Sequence, residues 1–179
     1  EPTPTADETT PTVTTSGEAA ATVARTGTGV TVEVTGAKGT ERVDVSLPAA
    51  DVVERLSTDG VALESLSTTF ARDTDFAADV SSSTEPVDGT PAVARAVGYV
   101  TVDTGDGFEE ADVSEVRFGF AVGADRLDER GLAPEDVVLY RYHDGEWTEL
   151  ETRVVGEEGE TVRFEAVSPG LSTFAIGDR

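Results

Sequence analysis

The chain has 179 residues, and 36 aspartates and glutamates outnumber 13 lysines and arginines, which gives a formal net charge of −23. Nucleic acid is excluded as an expected partner because its binding needs basic patches that displace counterions. A bare anionic membrane surface is disfavoured for the same reason, and no apolar run approaches the roughly 18 residues of a membrane span, so we expect no membrane insertion by this segment. The absence of cysteine excludes disulfides, thiolate metal sites and a cysteine nucleophile.

The acidic residues are spread along the whole chain. At low ionic strength they repel one another, whereas near 1 M salt the Debye length falls to about 3 Å and most of the repulsion is screened. Disorder is not the expected outcome, because hydrophobic residues make up 37% of the chain and alternate regularly with polar ones. Lys38 is the only lysine, and Asn and Gln are absent. This composition indicates a protein adapted to high salt.

Residues 1–16 contain seven threonines and three prolines, with Val13 as the only sizeable aliphatic residue. This composition is typical of a disordered linker or of an extended, O-glycosylated stalk, and the sequence does not separate the two. We therefore place 1–16 outside the fold and expect a single domain over 17–179.

The first half of that domain shows the period-two pattern of half-buried strands. Residues 30–35 and 43–47 alternate on either side of a glycine-containing turn, which predicts a hairpin. The spacing of apolar residues over 49–57 predicts a short helix or an irregular crossover. Less regular strand-like pieces follow over 61–85, and the segment 92–103 is predicted to be a strand.

The second half is more informative. Residues 116–122 place four apolar side chains on one face of a predicted core strand, and 123–131 are predicted to form a short helix closed by Gly131. Two further hairpins and a final strand are predicted over 138–176, the first around an Asp-Gly turn. About nine or ten short strands result, so the sequence predicts an all-β fold, mainly an antiparallel β-sandwich, with one or two short helices.

An acidic segment, DTGDGFEEAD at 103–112, is a candidate calcium site, because carboxylate oxygens surround two glycines in a predicted loop. Gly105 stands where an EF-hand loop has Asp or Asn at its third position, so a solvated acidic loop is the alternative. No other cofactor is expected. The candidate metal ligands are Asp103, Asp106, Glu109 and Asp112.

Three aromatic residues, Tyr140, Tyr142 and Trp147, are candidate ligand-binding residues, because such rings form platforms for sugars. The alternative is that Trp147 anchors the core. His143 is the only histidine. A hydrolase would need it in a cleft beside a serine or a carboxylate, but its place at a polar hairpin tip predicts a turn residue and no catalytic activity.

The C-terminal segment AVSPGLSTFAI at 166–176, preceded by VVLYRYHDGEWTELET at 137–152, resembles the PGF-pre-PGF domain of archaeal cell-surface proteins. The resemblance covers about residues 112–177, and Leu171 stands where that family has the phenylalanine of its name. It implies an extracellular module of haloarchaeal envelope proteins, often near a processed, lipid-anchored C-terminus. It implies no known catalytic activity.

Together these observations predict a non-catalytic structural or interaction module on the surface of a halophilic archaeon, with other envelope proteins or glycans as partners. The alternative is a carbohydrate- or calcium-binding surface module. The chain starts at Glu1 without an initiator methionine and contains no signal peptide. We therefore expect it to be a processed product or a fragment of a longer protein. The sequence leaves the oligomeric state open.

Overall fold

A computed structural model describes residues 12–15, 19–25, 29–46, 57–58, 61–104 and 109–179. These residues form two antiparallel sheets of seven strands each, and apolar side chains from both sheets pack into one hydrophobic cluster. The predicted all-β sandwich is thereby confirmed. The predicted helix or crossover at 49–57 lies outside the described residues except for Ser57, which begins a two-residue strand.

Sheet A consists of β1 (Thr12–Thr15), β4 (Arg42–Ser46), β5 (Ser57–Thr58), β6 (Val61–Phe70), β9 (Val113–Gly123), β12 (Glu151–Glu158) and β13 (Thr161–Ser168). Its strand order is β1-β4-β6-β9-β13-β12, and β5 pairs with β6. Strand β12 therefore lies at one edge of this sheet.

Sheet B consists of β2 (Ala20–Arg25), β3 (Gly29–Ala37), β7 (Thr74–Ser83), β8 (Gly98–Thr104), β10 (Val137–His143), β11 (Glu146–Glu149) and β14 (Thr173–Asp178). Its strand order is β11-β10-β14-β8-β7-β3-β2. The predicted hairpin over 30–47 is not a single pair, because β3 and β4 lie in different sheets. The turn between them carries the chain from one sheet to the other.

The core lies between the two sheets and is rich in phenylalanine. Phe118 of β9 is 2% exposed, and its ring centroid lies 4.6 Å from that of Phe174 in the opposite sheet. The four apolar residues that were predicted to share one face of β9 are all buried. Each such side chain stabilises the fold by about 1.5–3 kcal/mol relative to an exposed one.

The predicted helix at 123–131 is confirmed as α1 (Ala124–Arg130), which ends at Gly131. Gly131 has a φ of +65° and caps the helix through its N–H, as a left-handed glycine does. Two 3₁₀ helices, Glu110–Asp112 and Pro134–Asp136, precede strands β9 and β10. In the part of the chain that the structure describes, no helix has the length and apolarity needed to cross a bilayer.

Two predicted boundaries differ from the structure. Strand β1, within the predicted linker 1–16, pairs with β4 from Thr12 opposite Ser46 to Thr15 opposite Val43, so sheet A begins inside that range. An edge strand is held by backbone hydrogen bonds, which need no apolar alternation. The predicted strand at 92–103 is shorter, because β8 starts at Gly98 and Arg95 has a φ of +52°, which no strand residue adopts.

Candidate functional site

The predicted aromatic platform is divided by the structure. Tyr142 and Trp147 face each other across the β10–β11 hairpin with ring centroids 5.1 Å apart, and Tyr99 lies 6.3 Å from Trp147. The indole N–H of Trp147 donates to the backbone oxygen of Pro91 at 2.8 Å. These rings therefore hold the segment 84–97 against the outer face of sheet B.

The segment 84–97 is fixed at several points along this face. The backbone N–H of Val93 donates to the Tyr99 hydroxyl at 3.2 Å, and the Val93 side chain lies so close that a Cβ at Gly177 would be 2.9 Å from it. Trp147 is half-buried. It thus anchors a loop on the outside of sheet B and belongs neither to the inter-sheet core nor to an open groove.

Tyr140, the third predicted aromatic residue, serves a separate contact. Its hydroxyl donates to the backbone oxygen of Asp178 at 2.5 Å. Burial raises the pKa of Tyr140, and the nearby carboxylates of Glu149 and Asp178 raise it further. The phenol is therefore a neutral donor that ties β10 to the end of the last strand.

Of the four predicted calcium ligands, Glu109 and Asp112 lie together in one turn. Asp103 is exposed on β8, and Asp106 lies outside the described residues. Arg72 pairs with Glu109 and Asp112. No group of three or more metal-binding side chains is found among the described residues. Glu109 and Asp112 thus bind an arginine here, and calcium binding by the segment stays a prediction.

Asp112 holds this turn in place. Its buried carboxylate accepts the backbone N–H of Glu109 at 2.9 Å and the Nε–H of Arg72. The amide of Glu109 and the guanidinium of Arg72 lower the pKa of Asp112, because both stabilise the ionised form. Together they join the β6–β7 turn to the start of β9.

A buried arginine escaped the sequence prediction. The Arg141 side chain is 7% exposed and pairs with Glu110, and its Nε has no hydrogen-bond partner among the described residues. A Cβ at Gly170 would lie 2.8 Å from Glu110 Oε1 and 2.9 Å from Arg141 Nη2. A side chain at position 170 would therefore have to displace the end of this ion pair. The sequence did contain one indication of this burial. The arginine follows Val137 and Leu139 at intervals of two residues, so on a strand its side chain points to the same face as those two core residues.

His143 is exposed at the hairpin tip, as predicted. Its Nε2 lies 3.3 Å from Asp144 Oδ2 and 3.8 Å from Glu110 Oε2. Both neighbours of the imidazole are thus carboxylates near the surface.

A groove of about 260 Å³ lies on the outer face of sheet A, near its β12 edge. Its ion pairs lie along and across the strands: Arg117 contacts Glu115 of the same strand at 3.0 Å and Glu165 of the neighbouring strand at 3.9 Å, and Arg153 pairs with Glu165 directly opposite. No feature of the sequence analysis pointed to this groove. The lining residues are Glu115, Arg117, Glu151, Arg153, Glu165 and Val167.

One pair of like charges stands out on sheet B. Asp79 of β7 lies directly opposite Asp103 of β8 in the antiparallel register, and both residues are exposed. The hydroxyl of Thr31 donates to Asp79 Oδ1 from the other side. Like charges directly opposite each other destabilise a sheet in dilute solution.

Comparison with known proteins adds no relative: no family model, no curated protein and no solved structure matches the chain.

Proposed function

We propose that this chain is a non-catalytic interaction module of a haloarchaeal cell-surface protein, which works in molar salt outside the cell. The observation that carries the proposal is the arrangement of its acidic residues. With a formal net charge of −23, the chain places Asp79 and Asp103 opposite each other on a sheet. High salt screens the repulsion between the two carboxylates, whereas in dilute solution this repulsion destabilises the sheet.

The other acidic residues support the same proposal, because several stabilise turns. The buried carboxylate of Glu41 accepts the backbone N–H groups of Ala19 at 3.1 Å and Lys38 at 2.9 Å. Asp73 accepts the N–H of Gly39 at 2.9 Å, and that amide, with Lys38, lowers the pKa of Asp73. These carboxylates have structural roles, which leaves the exposed remainder as a hydrated surface.

The placement of the Ser-Pro-Gly-Leu segment supports the resemblance to PGF-pre-PGF domains. Leu171 is partly buried and packs against the core, which is the role expected of the phenylalanine at this position in that family. The Ser168 hydroxyl donates to the Gly170 oxygen at 2.7 Å and closes the turn before the last strand. The resemblance in turn implies the extracellular location.

Labelling of intact cells tests the location. Antibodies against the chain, applied in growth brine to unbroken cells of the organism that makes it, are expected to label the surface. An antibody against a cytoplasmic protein serves as the control and is expected to label only after lysis. If the chain, too, is labelled only after lysis, the proposal of a surface module is wrong.

A further inference from the structure

We infer that the groove on the outer face of sheet A binds a neutral or amino sugar unit of a glycan. This inference rests on the proposed function, since it names the class of ligand that a surface contact module would meet.

The shape of the groove follows from the strand register. Val167 of β13 lies between Glu151 of β12 and Arg117 of β9, directly opposite both. A short aliphatic side chain between two long charged ones forms a low floor with raised sides. In the next row Glu165 lies between Arg153 and Gly119, which has no side chain. The side chain of Ser65, opposite Gly119 on β6, occupies the space where a Cβ at Gly119 would lie, so the depression ends there on the side of the sheet centre.

The size of the groove favours a single ring. Its volume of about 260 Å³ lies just below the range of about 300–1,000 Å³ that is typical of pockets for drug-sized ligands. The β-bulge in β12 between Val154 and Gly156 bends this edge strand locally, as bulges do. A saccharide can thus lie on Val167 and leave the groove along the free edge.

The charge of the groove argues against an anionic ligand. Glu115 and Glu165 neutralise the two arginines by direct ion pairs. Glu151 forms no ion pair with the described residues, so the groove carries one uncompensated negative charge. A uronic acid or a phosphate would be repelled by Glu151, whereas an amino group would be attracted.

The donors and acceptors of the groove match a polyol. Guanidinium groups only donate hydrogen bonds and ionised carboxylates only accept them, whereas each sugar hydroxyl does both. The ion pairs hold the planar groups of Arg117 and Glu165 in place before a ligand arrives, which reduces the entropic cost of binding. In molar salt, Coulomb attraction between exposed charges is screened over about 3 Å, so directional hydrogen bonds to a neutral ring become the more useful contacts.

The test is a titration of the full chain, labelled with ¹⁵N, in molar KCl. The probes are three neutral hexoses (glucose, galactose and mannose), glucosamine and glucuronate. At least one neutral hexose or glucosamine is expected to shift the backbone amides of β9, β12 and β13 with a dissociation constant on the order of millimolar, as is usual for so small a ligand. Glucuronate is expected to bind no more tightly than the neutral hexoses, since molar KCl screens most of the repulsion from Glu151.

A matched pair of variants locates the site. Arg153→Ala removes a donor of the groove and is expected to weaken binding about tenfold, the effect of losing one charge-assisted hydrogen bond. Arg42→Ala removes the same charge from β4 on the same sheet and is expected to leave binding unchanged. Thermal unfolding in the same brine checks that both variants are folded.

Three results would overturn the inference: no shifts with any neutral or amino sugar, stronger binding of glucuronate, or equal effects of the two arginine variants. The outcome is separable from that of the cell-labelling experiment. Sugar binding without surface labelling would support the groove as a binding site and contradict the proposed location. Surface labelling without sugar binding would support the surface module and contradict the groove as its binding site.

Discussion

Replacing Asp103 by Asn tests how salt acts on this fold at one defined pair. In the register of sheet B, Asp103 lies directly opposite Asp79, where Cβ atoms are about 4.5–5.5 Å apart. The substitution removes one charge and keeps the size and polarity of the side chain. Asp79 stays bonded to the Thr31 hydroxyl.

The expected magnitude follows from Coulomb's law. Two exposed carboxylates about 6 Å apart repel each other by about 0.7 kcal/mol in unscreened water. At about 0.1 M salt, where the Debye length is about 10 Å, this falls to about 0.4 kcal/mol, and at about 1 M to about 0.1 kcal/mol. Asp103→Asn is therefore expected to stabilise the protein at low salt and to have almost no effect in brine.

Refolding by KCl titration, followed by circular dichroism, measures this effect as a lower KCl midpoint for Asp103→Asn than for the unchanged chain. The control is Glu33→Gln, which removes an exposed charge from β3 that faces Thr22 and Ala77 across the strands. Glu33→Gln is expected to give a smaller shift, since it relieves only long-range repulsion. Equal shifts for the two variants, or a stabilisation by Asp103→Asn that persists in molar KCl, would refute the pairwise explanation.

Three further predictions concern the polar contacts that hold loops and turns. Glu41→Ala is expected to lower the free energy of unfolding by about 1–3 kcal/mol in urea with molar KCl, because the buried N–H of Ala19 loses its acceptor; Glu41→Gln should cost less, and no loss in either variant would count against this role. The lowered pKa of Asp112 predicts a contribution to stability that is complete above about pH 5, where an unfolded aspartate is almost fully ionised, and is lost as the pH falls through the folded pKa. Asp112→Asn is expected to reduce the loss of unfolding free energy as the pH is lowered in an acid titration. An unchanged dependence of the unfolding free energy on pH would contradict this role of Asp112. Trp147→Phe removes the donor to the loop and is expected to speed limited proteolysis within 84–97, as mass spectrometry would show; unchanged cleavage would mean that other contacts hold the loop.

Local sequence patterns predicted the elements whose conformation depends on residues close to them in the chain. Alternation located the core face of β9, and the Asp144-Gly145 dipeptide adopts the positive φ angles, +53° and +86°, that its hairpin turn requires. Gly131 ends α1 for the same local reason. Each of these features depends on neighbours within a few residues.

The features that sequence reasoning missed depend on distant neighbours. Arg72 and Asp112 are 40 residues apart in the chain, and no spacing rule links them. Tyr140 and Tyr142 were grouped by alternation, but the Tyr140 hydroxyl bonds to the backbone of Asp178, whereas Tyr142 packs against Trp147. The groove on sheet A arises from three strands side by side, an order that only the topology reveals.

The dependence of folding on salt tests the account most directly. Urea unfolding of the full chain, followed by circular dichroism and by the fluorescence of Trp147, would be measured across a KCl series, with sucrose in dilute buffer as a control for general exclusion effects. We expect cooperative unfolding in molar KCl and loss of the sheet structure at millimolar KCl that sucrose restores only in part. Equal stability at both salt concentrations would contradict the claim that the fold depends on screening of its acidic surface.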